Sequence, residues 1–183
     1  MSLRKPVVRM TVAEYLEFEK TGEVRHEYLD GEIYEMTGAS RRHNLIAIAL
    51  LTQLKSRLRG GSCQVYVVDV KVYIEPLNVF YYPDIVVACD PQDNDDYFVR
   101  NPLLIAEVES PSTSSIDRRE KLMAYRKLPC LREYLLLSQT STSAEVFRRD
   151  DDGERSLEQV TGDQELRLDS VDLSLPLRVL YET

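Results

Sequence analysis

Seven residues, Leu103-Leu104-Ile105-Ala106-Glu107-Val108-Glu109, constrain this chain more than any other stretch. They follow Pro102 and read as a strand entered from a turn. A strand this apolar is buried on both faces, so it predicts the inside of a sheet with layers above and below. With a period of two, Glu107 and Glu109 share a face with Leu103 and Ile105, and Leu104, Ala106 and Val108 occupy the other. An acid in such a strand is costly to bury unless it is paired or binds a metal. For Glu107 that reading stands beside a plainer one, a strand that has already reached solvent. For Glu109, at the end, solvent is the simpler reading.

The rest of the chain supplies what such a sheet needs. Thr11 and Glu14 have capping-box spacing, predicting a helix that runs to about Lys20 and stops at Gly22. Asp30-Gly31 between Glu27-Tyr28-Leu29 and Ile33-Tyr34 predicts a hairpin. Ser40 to Leu58 is the longest helical candidate, with apolar residues over most of its circumference, so it is expected to be largely buried. After Gly60-Gly61 the period changes to two, and Gln64–Val68, Val70–Glu75 and Ile85–Cys89 read as strands. A turn at Pro111–Ser115, with capping-box spacing from Ser114 to Asp117, feeds a helix ending near Leu128, before Pro129. Strands follow at Glu133–Leu137, Glu145–Arg149 and near Leu157–Thr161. The order predicts an α/β (α+β) chain in which residues 1–183 form a single domain.

Composition excludes several classes. At 43% hydrophobic and 30% charged, the chain is neither disordered nor coiled-coil in type. No apolar run approaches the roughly 20 residues of a membrane span. Met1 to Pro6 holds no stretch of signal length, so a cytoplasmic protein is expected. Cys63, Cys89 and Cys130 are odd in number and form no CxxC pair, which suggests neither a zinc site nor a disulfide framework; Cys89 reads as a small core residue.

Several polar residues break the local pattern. Asp84, after Pro83, stands at the mouth of the apolar strand Ile85-Val86-Val87-Ala88. Lys121 falls inside the apolar arc of Leu122, Ala124, Tyr125 and Leu128 on a helix wheel. Glu27 precedes the hairpin turn, and His43 opens the long helix on the line of Ala47, Leu50 and Leu54. Each has a plain alternative: a turn residue for Asp84, an i,i+4 pair with Asp117 or a snorkelling side chain for Lys121, a satisfied polar residue for His43. Together they make a chemical set. Asp84 and Glu107 can hold one hard divalent cation such as Mg²⁺, which prefers oxygen ligands and polarises a phosphoryl oxygen. The Lys121 ammonium can position an attacking water and offset developing charge.

At these residues a resemblance enters. Pro83-Asp84 followed by Glu107-Val108-Glu109 resembles the motif of the PD-(D/E)XK nuclease superfamily, with Glu109 where that motif has lysine. The wider string adds His26-Glu27-Tyr28-Leu29-Asp30-Gly31, His43, Tyr82-Pro83-Asp84, Glu107 to Thr113, Asp117 to Lys121 and Glu133-Tyr134. It is similar to the Uma-type family of restriction-endonuclease-like proteins, over roughly residues 10 to 140. The resemblance implies a restriction-endonuclease-like fold, a mixed central β-sheet flanked by helices. It implies a nuclease that uses Mg²⁺ (or Mn²⁺) on phosphodiester bonds, in DNA, with metal on Asp84 and Glu107. Lys121 matches the helix position that supplies the missing lysine, and Glu27 matches an active-site acid. His43 also matches a family position, and Glu109, if it points into the site, would favour a second cation. An inactive nucleic-acid-binding module or a protein-interaction domain on the same fold are the alternatives. A homodimer is expected, because two-fold dimers are the commonest oligomers.

The net charge of −8 looks unfavourable for a polyanion partner. Its distribution softens that. Residues 150–169 hold eight acids and two arginines, and residues 90–96 hold four acids and no base, which leaves +2 for the rest. Arg41, Arg42, Lys55, Arg57, Arg59, Arg118, Arg119, Arg126 and Lys127 are the candidates there to meet phosphate.

Overall fold

The computed structural model describes residues 8–36, 38–109 and 117–182. Met1–Pro6, the turn at Pro111–Ser115 and the start of the helix expected from about Ser115 lie outside the described residues, as does the side chain of Asp117.

Local sequence chemistry sets the first elements. Helix α1 (Val12–Thr21) begins with a reciprocal cap in which the Glu14 amide donates to Thr11 Oγ1 and the Thr11 amide donates to Glu14 Oε2. Strands β1 (His26–Leu29) and β2 (Glu32–Glu35) meet in register, Leu29 opposite Glu32. The turn between them has φ 46° at Asp30 and 101° at Gly31, the doubly left-handed geometry that a tight hairpin needs and that Asp-Gly accepts. Helix α2 (Arg41–Arg57) is capped by Ser40, whose Oγ accepts from the His43 amide.

The main sheet has six strands in the order β11 (Arg155–Thr161), β10 (Ser143–Arg149), β9 (Glu133–Ser138), β8 (Pro102–Glu109), β6 (Ile85–Ala88), β3 (Gln64–Val67). Strands β8 and β9 run parallel, joined by a crossover that ends in a π-helical turn (Asp117–Lys121) and helix α3 (Leu122–Tyr125); the other neighbours are antiparallel. A second sheet joins the hairpin in the order β2, β1, β5 (Val79–Tyr81), β4 (Lys71–Ile74), β7 (Phe98–Val99). A last hairpin pairs β12 (Glu165–Leu168) with β13 (Leu173–Pro176).

β8 is buried on both faces, as its composition requires. Leu104, Ala106 and Val108 join the core under α2, whereas Ile105 joins the core under α3 and the second sheet. α1 covers a third, aromatic cluster, with Tyr15 stacked 5.0 Å from Tyr28.

Two expectations are corrected. α2 is not largely buried: Ile46, Leu50 and Leu54 form one buried stripe, but Leu45 and Ile48 are 42% and 49% exposed. The helix has a sheet on one side only, and a single contact face accepts only an i, i+4, i+8 row. Cys63 and Cys89 form a disulfide, with Cα atoms 4.0 Å apart. The register Gln64↔Ala88, continued one residue, sets these two cysteines opposite each other, a proximity created by strand pairing rather than by sequence spacing.

Candidate active site

Five elements, β1, α2, β6, β8 and the π-helical turn, bring the out-of-pattern residues together. Continuing the register Ile85↔Ala106 by one residue places Asp84 beside Glu107 on the α3 face. Pro83 ends the β6 ladder there, and the Asp84 carboxylate takes its place: Oδ2 accepts from the Val108 amide at 2.7 Å, an amide that a strand partner would otherwise satisfy. The other oxygen, Oδ1, accepts from His43 Nε2 at 2.9 Å. His43 is thus a positioned partner of Asp84, delivered by the first turn of α2.

Lys121 closes the π-helical turn and points inward, one turn before Tyr125. Its ammonium lies 3.0 Å from Glu107 Oε1 and 3.2 Å from Glu27 Oε1, and 5.6 Å over the Tyr81 ring. The Tyr125 hydroxyl donates to the same Glu107 oxygen at 3.2 Å. The Glu27, Glu107 and Lys121 side chains are 3%, 6% and 6% exposed, against 24% for Asp84 and 14% for His43. The Asp84 end therefore faces solvent, and the lysine anchors the deep end. Of the alternatives for Lys121, the snorkelling side chain is set aside, because Lys121 is buried; the pair with Asp117 falls on a side chain outside the described residues.

Glu109 follows Glu107 on the strand, level with Ser138, and lines a cavity of about 170 Å³ with Ser138, Ser143, Glu145 and Thr161. Among the described residues no three His, Cys, Asp or Glu side chains converge into a ready cation cage. The donor chemistry is nonetheless oxygen-rich: Glu27 and Glu107 flank the Lys121 ammonium, and Asp84, held by His43, stands beside Glu107 across the β6–β8 pair, carboxylate oxygens of the kind a hard divalent cation that retains waters prefers.

Other residues were not foreseen as parts of this region. Tyr125 reads from sequence as core, and Tyr81 sits in a three-residue strand too short to notice. Glu19 is 3% exposed on α1; its signal is the i,i+4 spacing from the buried Tyr15. Glu133, read as part of the family string, is a structural acid. It accepts from Arg148 Nε at 3.0 Å and from the Asp169 and Ser170 amides at 3.1 and 2.9 Å, which locks β9 to the turn before β13.

Among the basic candidates, Arg41, Arg42, Lys55, Arg59, Arg119, Arg126 and Lys127 are exposed. Arg57 is committed to the carbonyl and carboxylate of Asp172, and the Arg118 side chain lies outside the described residues.

Burial also fixes how this region responds to alkali. Desolvation, then the neighbouring Glu107, hold the Tyr125 phenol well above its ordinary value of 10.0. Burial raises Tyr15 and Tyr82 as well, with Glu19 adding to both. In the unfolded chain these phenols ionise near the ordinary value; in the fold they stay protonated beyond it. Their contribution to stability is therefore complete below about pH 10 and is lost as the pH climbs towards the folded values. Urea midpoints should fall steadily above pH 10, and the tyrosinate absorbance of these buried phenols should appear together with unfolding, after that of exposed tyrosines such as Tyr97.

The chain has counterparts of similar length. It is 36% identical over 177 residues to the uncharacterized protein slr1290 of Synechocystis sp., covering 96% of this chain and 93% of that protein. It is 34% identical to a second one, sll1609, covering 84% and 89%. It superposes on a crystal structure of a putative nuclease belonging to DUF820 from Anabaena variabilis with TM-score 0.72 at 17% identity, covering 91% of this chain and 96% of that one. That likeness establishes the restriction-endonuclease-like fold. A family model covers residues 12–178, nearly the whole described chain, and by that match the chain belongs to the Uma2 family, described as "Putative restriction endonuclease".

Proposed function

We propose that this chain is a Mg²⁺-dependent nuclease that hydrolyses phosphodiester bonds in DNA. One observation carries the reading: the buried Lys121 ammonium, 3.0 and 3.2 Å from Glu107 and Glu27, one strand away from a solvent-facing Asp84. The family description and the neighbour's title, each naming a nuclease, support the same reading.

Asp84 and Glu107 would hold the ion, with Mn²⁺ able to replace Mg²⁺ on the same oxygens. When bound, such an ion supplies Lewis-acid polarisation of a phosphoryl oxygen and a more acidic water. The chain's own groups do the rest. His43 holds Asp84 Oδ1, and the Val108 amide holds Oδ2, so that carboxylate is fixed in place. Lys121 steers a water for attack and offsets negative charge in the transition state. Glu27 and Tyr125 hold Lys121 and Glu107 in place from either side. On this reading the 183 residues act as one domain, in a cytoplasmic homodimer whose two sites meet the two strands of a duplex.

A second reading has its own support. A lysine paired to two buried acids is also what a purely structural ion triad looks like. Incubating the protein with linear, supercoiled and single-stranded DNA and Mg²⁺ or Mn²⁺ separates the two. Asp84→Ala should lower cleavage at least ~10³-fold, because it removes one of two ion ligands while leaving Lys121 paired. Cleavage that persists in the variant would mean a contaminating nuclease and defeat the proposal.

A further inference from the structure

We propose that Glu19 is a positioning residue for this site, acting through His26 on Glu27 and through Tyr82 on Asp84. The inference rests on the nuclease reading for its kinetic consequence, and on geometry alone for its structural one.

Glu19 is a buried acid that belongs to none of the groups assigned above to the chemistry. It sits on α1 one turn after Tyr15, on the face that packs against β1. Its Oε1 accepts from His26 Nδ1 at 2.9 Å. Its Oε2 accepts from the His26 backbone amide at 3.3 Å and from the Tyr82 hydroxyl at 2.6 Å. The Tyr15 hydroxyl donates to the His26 carbonyl at 2.7 Å, so both backbone groups of His26 and its ring are tied to α1.

The two residues that Glu19 holds are neighbours of the proposed machinery. His26 directly precedes Glu27, and alternation along the strand turns the one towards α1 and the other towards Lys121. Tyr82 is separated from Asp84 only by Pro83, whose ring fixes φ and makes the link stiff. One carboxylate therefore fastens the segments that carry two acids of the site, from the side away from the reacting centre. The Lys71 ammonium 5.2 Å over the Tyr82 ring closes this layer. What sets Glu19 apart from a structural acid such as Glu133 is what it fastens: its carboxylate accepts three donors from the two chain segments that lead directly into Glu27 and Asp84.

Hydrogen exchange tests the structural arm, because the Val108 amide reports on its acceptor, Asp84. Glu19→Ala should speed exchange at both His26 and Val108, and the milder Tyr82→Phe at Val108 only. In single-turnover and steady-state cleavage, Glu19→Ala should lower kcat by about 10- to 100-fold per folded molecule with KM within about twofold, the size expected for misplacement near 1 Å. Glu19→Gln, which keeps one acceptor oxygen and the volume, should recover most of that loss. Glu133→Ala, an equally buried acid outside the site, serves as the control for simple destabilisation. Unchanged Val108 exchange in both Glu19→Ala and Tyr82→Phe overturns the proposal, as does a kcat loss that Glu133→Ala reproduces. If the wild-type protein cleaves no nucleic acid, the nuclease reading fails by itself, and Val108 exchange still decides the clamp.

Discussion

Replacing Lys121 with methionine is expected to abolish cleavage and to lower the unfolding free energy by about 3–5 kcal/mol. Methionine keeps the length and the apolar contacts of the stem, so the loss is electrostatic. Glu27 and Glu107 are left at 3% and 6% side-chain exposure without the ammonium between them. Breaking one partner out of a buried ion set costs far more than the set itself contributes, because the remaining charges are desolvated and uncompensated. The triple variant Lys121→Met, Glu27→Gln, Glu107→Gln removes those charges together. It should regain most of the stability while remaining inactive, a non-additivity of at least about 2 kcal/mol. Urea unfolding with an unchanged slope reads the stability, and DNA cleavage at matched folded concentration reads the activity. A Lys121→Met protein that cleaves at the wild-type rate would remove the lysine from the mechanism.

The second large effect lies far from the chemistry. Glu133→Ala should destabilise by about 3 kcal/mol and leave cleavage per folded molecule unchanged. Glu133 is 2% exposed, and its two oxygens serve Arg148, two backbone amides and the Ser170 hydroxyl. Arg148 retains Glu158 at 2.5 Å, so the cation is not stranded. The penalty comes from the Asp169 and Ser170 amides, which lose their acceptor in a partly buried turn. A thermal or urea midpoint within error of wild type would show that this turn can rehydrate without harm.

Two charged residues mark how far the sequence could be read. Glu107 and Lys121 announced themselves because each broke a strong local period, a charge in an apolar strand and a charge in an apolar arc. Glu27, Asp84 and His43 carried weaker signals, and the family string rather than periodicity connected them. Glu19 carried only the faint signal of its i,i+4 spacing from Tyr15, because one acid on a short amphipathic helix looks like solvent-facing polarity until the helix is docked. The secondary elements were legible where they were long. Strand β5 is three residues, and Leu166 and Leu168 of β12 are buried in a stretch whose acids suggest an exposed tail. The Cys63–Cys89 bridge was out of reach for another reason. It depends on which strands pair, and pairing is a property of the sheet rather than of any window of sequence.

The parallel pairing of β8 with β9 has a consequence for the order in which the molecule can form. Glu27, Asp84, Glu107 and Lys121 come from segments up to 94 positions apart, and the strand that carries Glu107 pairs with one that begins only at Glu133. Parallel contacts of this separation pay their loop-closure entropy before they gain anything, so they form late. A chain leaving the ribosome would thus expose all four charged groups before β9 exists to complete the sheet around them. The acid–lysine set comes into being only with the finished sheet, so nascent and truncated chains are expected to be unable to damage nucleic acid. Ribosome-bound chains arrested before residue 133 would carry every residue of the site but lack the β9 partner that completes the sheet around Glu107.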